Sequence, residues 1–460
     1  MTLNIIVAFS HKKFGIGFKN KLPWNIPTDL HYFNRMTKGS VVVMGKNTWF
    51  SIPEDKRPLK GRINIVVGRE FSCIIDTQRD IDRYLSQGRS VFIIGGSALY
   101  KRYMGVADKI YATVVEKEFG SDGNSGYDTF FPVEKFNEYA IESYSTRFFS
   151  NEEQCFYRHI VYENTFGVTH GEHCYLRTMI DVIETGELQL DRTRVGTKCL
   201  FAPDPLRFDV SKNIPLFTTK YVNFKMIVEE LLWFLKGETD ADKLAKKGIN
   251  IWKPNTTREF LDKRGLSHYE ENDIGSMYGW IWNHVGADYR GCNADYTGQG
   301  INQLHMLIQS LKNDPFSRRH LLTSYCPVYV DQGCLMPCHG IVTQFHVSNK
   351  KELSCHVYNR SQDVFLGQPF NVASYSILLY IIAAKCGYKP KELVVSLGNT
   401  HVYQTHEEQC KTQLSRVPLP FPVLELSDAV KDKDLKALTI DDFTLVGYLH
   451  HAGIKAPMAV

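Results

Sequence analysis

The chain is 460 residues long, 43% hydrophobic and 23% charged, with a formal net charge of +4. It is too long for one ordinary core, so two or three domains are expected, and the composition is that of a soluble globular protein. Residues 1–169 hold 22 Lys+Arg against 18 Asp+Glu and the remainder 32 against 32; this is too even for the basic stripe of a nucleic-acid binder and leaves anionic small molecules as fitting partners. Strand-like runs rich in Val and Ile occupy residues 3–9, 41–44, 63–67, 91–94, 110–115 and 155–162. Those at 41–44 and 91–94 are apolar throughout, as in strands covered on both faces, which predicts a central α/β sheet flanked by helices for residues 1–163. A short polar break with glycines, residues 164–170, serves as linker. From Cys174 the pattern turns helical, with Tyr175, Leu176, Met179, Ile180 and Ile183 at helical spacing. Further helices are predicted over 224–235, 301–311 and 374–385, and strands over 340–347 and 352–358 around an Asn349-Lys350-Lys351 turn.

The first run starts almost at Met1, leaving no room for a signal or transit peptide, and no apolar run approaches the length of a membrane span. A cytoplasmic protein is expected, with no membrane partner. Eleven cysteines without paired spacing argue for free thiols. Cys334, Cys338 and His339 lack a second ligand pair at zinc-finger spacing, so no metal is expected.

Three features of the first part carry chemistry. In Leu22-Pro23-Trp24-Asn25-Ile26-Pro27-Thr28-Asp29 a carboxylate falls just inside a helix start, and Phe33 follows on the same face; taken alone, Asp29 reads more readily as a helix cap. Met44-Gly45-Lys46-Asn47-Thr48-Trp49 joins a strand to a helix whose first amides, with Lys46, suit a phosphate. Ile94-Gly95-Gly96-Ser97-Ala98-Leu99-Tyr100 is a second such junction, where bare glycines admit a dinucleotide or simply pack tightly. Gly15-Ile16-Gly17 is not a dinucleotide fingerprint, because position 20 is Asn and no ribose-binding acid follows.

In this order, and over residues 3–162, these motifs resemble the dihydrofolate reductase family. The resemblance implies an α/β fold with a central, mostly parallel sheet. It implies that Asp29 holds a pterin, with Thr113 supporting it and Trp24 organising water, while Val7, Ala8 and Phe33 line the folate and Arg62 takes its tail carboxylate. It also implies NADPH as cofactor, with Lys46, Thr48 and Arg69 facing its phosphates and Ala8, Ile16, Asn47, Gly95, Gly96, Ser97, Ala98 and Tyr100 lining it. Lys46 and Arg69 are the features that favour NADPH over NADH.

The second part centres on Pro337-Cys338-His339-Gly340, with Arg360-Ser361 downstream and Arg318-Arg319 upstream. A thiol beside a histidine is a possible nucleophile, and nearby arginines would bind an anion and favour the thiolate. Singly each element is bland: most cysteines are core, and Glu229-Glu230-Leu231-Leu232-Trp233 reads as an amphipathic helix. Together with the Ile-Trp-Lys, Phe-Leu-Gly-Gln-Pro-Phe-Asn and Thr-His-Val-Tyr segments they resemble the thymidylate synthase family over residues 170–460, implying an α+β domain. By that resemblance Cys338 attacks dUMP, with Glu230, Tyr278 and His339 completing the catalytic group. Arg192, Arg360 and Ser361 would hold the phosphate, joined by Arg318 and Arg319 from the partner subunit of a homodimer built through this domain. Asn371 would read the uracil edge, His401 and Tyr403 the ribose, and Asp363 would touch both dUMP and folate. Trp252, Asn255, Leu366 and Phe370 would contact methylene-tetrahydrofolate, and Val460 would close the site. Departures from the family pattern fall at Asn359, Cys326, Arg194 and Asn399.

A chain with both parts resembles the bifunctional dihydrofolate reductase–thymidylate synthase family, in which the synthase releases the dihydrofolate that the reductase recycles. Two competing readings are weaker. A dCMP hydroxymethylase would want an acid at Asn371, and a catalytically dead nucleotide sensor would not need Cys338, Glu230 and Asp29 together.

Overall fold

The computed structural model describes residues 2–120, 126–190 and 195–457, in two compact units: residues 1–170 with 417–421 and 449–451, and the rest of the chain. In the first unit every predicted run becomes a strand. β1 (Leu3–Ser10) and β2 (Gly15–Gly17) lead into α1 (Pro27–Thr37); β3 (Val41–Gly45), α2 (Lys46–Ser51), β4 (Ile63–Val67) and α3 (Ile74–Ser86) follow. Then come β5 (Val91–Gly95), α4 (Ser97–Tyr103), β6 (Lys109–Val115), β7 (Thr129–Phe130), β8 (Tyr139–Tyr144), β9 (Phe148–Ser150) and β10 (Cys155–Asn164). Eight strands form one sheet in the order β4-β3-β5-β1-β6-β10-β8, with β9 on β10. The first five are parallel, while β10 runs antiparallel to β6 and β8. Val41, Val42, Val43 and Met44 are fully buried, as their uninterrupted apolarity requires of a central strand. Helix α3 was not among the predicted elements although Ile74, Ile81, Tyr84 and Leu85 recur at helical spacing; only Thr77 and Ile81 of its thirteen residues are buried.

The second unit opens with α5 (Glu172–Thr185), β11 (Glu187–Gln189), β12 (Thr197–Phe201), β13 (Leu206–Asp209) and α6 (Phe224–Leu235). Short helices α7 (Asp242–Ala245), α8 (Arg258–Lys263) and α9 (Gly279–His284) precede α10 (Gln303–Asn313) and β14 (Leu321–Leu322). β15 (Val342–Val347), β16 (Glu352–Asp363), α11 (Gly367–Cys386), β17 (Lys389–Tyr403), α12 (Glu407–Leu414), β18 (Val423–Leu426) and β19 (Phe443–Val446) complete it. The main sheet is β11-β12-β17-β16-β15-β14, with β13 also on β17. Among the described residues of this sheet, only β16 and β17 pair in parallel.

Helix α11 begins seven residues before the predicted start. Pro369 is its third residue, where a missing N–H goes unneeded, and Gly387 ends it at φ +73°. At 20 residues it is long and apolar enough to cross a membrane, contrary to the sequence expectation, yet most of it is buried inside the unit. It is a core helix packed on β16, β17 and α6. Asn371 and Gln368 near its start had masked its length.

Candidate active sites

In the first unit Asp29 is the third residue of α1. It does not cap the helix: Ile26 is the N-cap and no side chain bonds there. Instead the carboxylate, 8% exposed, turns toward β6 and accepts a hydrogen bond from Thr113 Oγ1 at 2.5 Å. Burial pushes its pKa up to about 6, and the Thr113 bond offsets only part of that. Ala8 stands beside Thr113 in register, and Val7 beside Ala112, so β1 and β6 set the floor under Asp29. Trp24 is buried, and its indole N–H lacks a protein partner, which leaves a donor for water or ligand. Phe33, one helical turn from Asp29, packs on the cluster of Ile6, Val42, Met44 and Phe92. The Arg62 guanidinium lies 5.7 Å from the Phe33 ring centre and donates to Thr37 Oγ1, while its Nε is buried without a partner.

At the carboxyl ends of β3 and β5 the backbone is bare. A Cβ on Gly95, which has φ +134°, would come within 3.0 Å of Thr48 Oγ1, and one on Gly45 would meet Gly96 N at 3.8 Å. Ligands of open α/β sheets settle at such strand ends. Tyr100 donates to Ile6 O and is buried, which drives its hydroxyl pKa up. Ser97 donates to Phe130 O. Lys46, at the start of α2 with Asn47, is exposed and reaches Glu70 at 2.9 Å, a surface pair that a ligand phosphate could displace. Arg69 and Ala98 are exposed and Ile16, on β2, is half-buried.

In the second unit the loop before β15 holds Cys338. Its amide donates to Tyr278 Oη at 2.9 Å, and that hydroxyl also lies 3.5 Å from Sγ. Tyr278 is held at φ +38°, an unfavourable backbone for a side-chain-bearing residue. The neighbouring Gly279 explains it: a Cβ there would strike Phe234 O at 2.4 Å, so the start of α9 sits hard against the end of α6. Arg360 holds the cysteine loop from below, its Nε and Nη2 donating to the carbonyls of Pro337 and Met336. The thiol pKa nonetheless lies above its ordinary value, because burial outweighs both the Tyr278 hydrogen bond and the Arg360 charge. Cationic activation, as read from the sequence, is thus only partial within this unit. His339 stacks on Tyr278 at 4.5 Å and shares a hydrogen bond with Tyr375 Oη; burial takes its pKa down to about 3, so the ring is neutral. Glu230 of α6 accepts from Trp252 Nε1 at 2.9 Å, and burial lifts it to about 7.

Ser361 N reaches Cys338 O, and Asn371 of α11 donates to Gln362 Oε1 at 3.2 Å. Asn359 accepts from Gly340 N and donates to the same Gln362 oxygen, so this departure is built into the loop's support. Asp363 accepts from the amides of Phe365 and Leu366, a turn-capping duty for one of its oxygens. The parallel register sets Ser361 beside Asn399 and Asp363 beside His401. His401 Nδ1 lies 2.9 Å from Asn399 Oδ1, and Tyr403 packs edge-on to His401. Asn255 lies in the short turn after Trp252, and Phe370 is half-buried in the first turn of α11. Cys326 lines a cavity of about 550 Å³ with Tyr289 and Tyr329. Arg318 and Arg319 are exposed just before β14, and among the described residues no hydrogen bond or ion pair joins them to the cysteine cluster. Arg192, Arg194 and Val460 lie outside the described residues. Among the described residues, no group of His, Cys, Asp or Glu is disposed to hold a metal ion.

The structure adds Gln362, Tyr375 and Lys220 to the residues around the second site. Lys220 donates to Phe365 O and sits on the Phe365 ring, and burial lowers it to about 8. A lysine after two threonines in an apolar stretch was the available signal.

Comparison with known proteins agrees with both halves. The dihydrofolate reductase family model matches residues 2–164, and the thymidylate synthase model residues 173–460. A bifunctional dihydrofolate reductase-thymidylate synthase of Paramecium tetraurelia is 37% identical, covering 97% of this chain and 96% of its own length. Those of Zea mays and Leishmania major are each 36% identical, covering 99% of this chain and 96% and 95% of theirs. With both halves matched in order and full-length relatives at this identity, the chain belongs to the bifunctional dihydrofolate reductase–thymidylate synthase family.

Proposed function

We propose that the two activities of this chain, dihydrofolate reduction and dTMP synthesis, run at the Asp29 and Cys338 sites respectively, with the division of labour set by their surroundings. The observation that carries the synthase reading is the Tyr278–Cys338–Arg360 arrangement, a nucleophile whose sulfur and amide face Tyr278 and whose loop Arg360 holds through the carbonyls of Met336 and Pro337. Cys338 adds to carbon 6 of dUMP, which makes carbon 5 nucleophilic toward the one-carbon unit of methylene-tetrahydrofolate. The Cys338 proton passes to water, and the Tyr278 hydroxyl, 3.5 Å from Sγ, donates to the thiolate that remains. Glu230, with a pKa near neutrality, accepts and returns protons at the working pH. Asn371, oriented by Gln362, reads the uracil edge, and Arg360 with Ser361 and Arg192 receives the phosphate. Exposed Arg318 and Arg319 serve the other site of a two-fold homodimer. Trp252, Asn255, Asp363, Leu366 and Phe370 contact the folate, His401 and Tyr403 the ribose, and Val460 closes the site.

In the reductase, Asp29 pairs with the pterin and Thr113 fixes its orientation, while Arg62 offers its unpartnered Nε to the folate's carboxylate tail. The bare edge of Gly45, Gly95 and Gly96 fits NADPH, with Lys46, Thr48 and Arg69 toward its phosphates and Ala8, Ile16, Asn47, Ser97, Ala98 and Tyr100 around the rest. When bound, NADPH supplies the hydride. Asp29, raised to about 6, holds or yields a proton beside the ring being reduced. The domains divide as 1–163, 164–170 and 171–460, and the enzyme works in the cytoplasm. Replacing Cys338 with Ser abolishes dTMP formation and leaves NADPH-dependent reduction of added dihydrofolate nearly intact; synthase turnover close to that of the parent enzyme would remove Cys338 from this role.

A further inference from the structure

Behind Asp29 lies a second titratable group that neither activity has yet used. His159, on β10, is directly opposite Thr113 in the antiparallel register. Its Nδ1 is 3.0 Å from Thr113 Oγ1 and 4.0 Å from Asp29 Oδ1. The ring is fixed: it stacks on Tyr32 at 3.7 Å with a 13° tilt and touches Phe148 and Tyr157 at 5.6 Å, and its amide donates to Ser145 Oγ. Its side chain keeps 12% exposure.

We propose that His159 is a positioning residue that relays protons to Asp29 through Thr113, so that the reductase carboxylate exchanges its proton with solvent on the β10 side. This rests on the reading of Asp29 as the pterin-facing acid. The argument is one of hydrogen-bond arithmetic. A threonine hydroxyl carries one proton. With Asp29 ionised, Thr113 donates to Oδ1, and the Thr113 oxygen must accept from Nδ1–H. With Asp29 protonated, its O–H donates to Thr113, whose own proton turns to an unprotonated Nδ1. The two patterns differ by one proton shifted along each link. A proton taken from water at Nε2 releases Nδ1–H to Thr113 Oγ1, which passes its own proton to Asp29 Oδ1. One N–H and two O–H bonds form while one N–H and two O–H bonds break, the water that gives the proton leaving as hydroxide, with no electron transferred. The imidazole ends neutral in its other tautomer.

The surroundings suit a neutral shuttle. Asp29, Tyr32 and Arg35 from α1, Thr113 from β6, Tyr157 from β10 and Phe148 from β9 face the ring. Burial and the Arg35 charge hold His159 near a pKa of about 4, so it stays uncharged while Asp29 titrates.

Two variants test the relay. His159→Asn keeps a polar atom for Thr113 but has no second ring nitrogen, and His159→Phe keeps only the stacking. Both should lower reductase kcat about tenfold near pH 8.5, where protons are scarce, and less than about twofold near pH 6, with the KM for dihydrofolate and the synthase rate unchanged. A parent-like pH profile in His159→Asn would mean that His159 only props Thr113 and would overturn the relay, as would parent-like profiles in both. Asp29→Asn separates the premise: if that variant reduces dihydrofolate normally, the site reading fails, and not the relay alone. Independently of activity, nitrogen-15 NMR of His159 in the full chain should show Nδ1 passing from protonated to unprotonated as Asp29 takes up its proton near pH 6. A tautomer that stays fixed across that titration also overturns the proposal.

Discussion

Asp29→Asn should do two opposite things to the reductase unit. It should cripple reduction, most severely at high pH, and it should make the unit more stable. The carboxylate titrates at 3.8 when free and at about 6 in the fold, because burial disfavours its charge. A group whose folded pKa is raised favours folding below its unfolded pKa and loses that contribution as pH rises through the folded value. At about 1.36 kcal/mol per pH unit, the ionised Asp29 therefore costs the folded unit about 3 kcal/mol above pH 7. Asparagine is isosteric, cannot ionise and still accepts from Thr113, so it should recover about that amount at pH 8 and nearly nothing below pH 4. His159 works in the opposite direction: its pKa is lowered from 6.5 to about 4, so stability falls as pH drops through that window. That contribution is present in both proteins and largely cancels in the difference. Native-state hydrogen exchange of β1 and β6 amides reads the unit's own stability without requiring the whole chain to unfold in one step. Equal or lower protection of Asp29→Asn at pH 8 would refute the claim that burial of the charge dominates this site.

The synthase site makes a comparable statement about Glu230. Trp252→Phe removes the one hydrogen bond that lowers its pKa, so the limb of the dTMP-formation profile that Glu230 governs should move from about 7 upward by about one to two pH units at saturating folate. Arg318→Ala and Cys338→Ser chains, each inactive as synthase, should regain partial activity when mixed under verified subunit exchange, because one heterodimeric site is then intact; no rescue would mean that Arg318 serves its own subunit. Glu172 is buried and accepts four hydrogen bonds, from the amide and hydroxyl of Thr218 and of Thr219. Glu172→Gln strands one of those backbone donors and should destabilise the second unit by about 1–3 kcal/mol, visible as a lower urea midpoint.

How much of this was legible depended on where each signal is stored. Helix α6 emerged with the predicted bounds because its apolar run, from Phe224 to Leu235, is long and dense. β17, fifteen residues from Lys389 to Tyr403, was missed: its first residues are charged and Pro390 interrupts them. Its strand character comes from lying in parallel against β16, a long-range pairing that no local window contains. Helix α3, by contrast, was legible, since Ile74, Ile81, Tyr84 and Leu85 lie at helical spacing among its charged residues.

At the sites the division is sharper. Asp29 looked like a helix cap because sequence position is one-dimensional; what excludes the cap is that Thr113, 84 residues away, offers a better donor. Gln362 sat unremarked between Ser361 and Asp363, yet its one carbonyl oxygen receives both Asn359 and Asn371. Its role follows from the turn between β16 and α11, which brings Asn371, nine residues on, to the same oxygen that receives Asn359. His159 was silent altogether, since a histidine in an alternating strand reads as a surface residue. It becomes chemistry only because the β10–β6 register sets it opposite Thr113; a register slip of one residue would send its ring to the other face of the sheet. Residues that react can be recognised by their type and spacing, whereas residues that orient or feed them acquire their function from pairing, and it is the pairing that mutations at His159 and Gln362 would test.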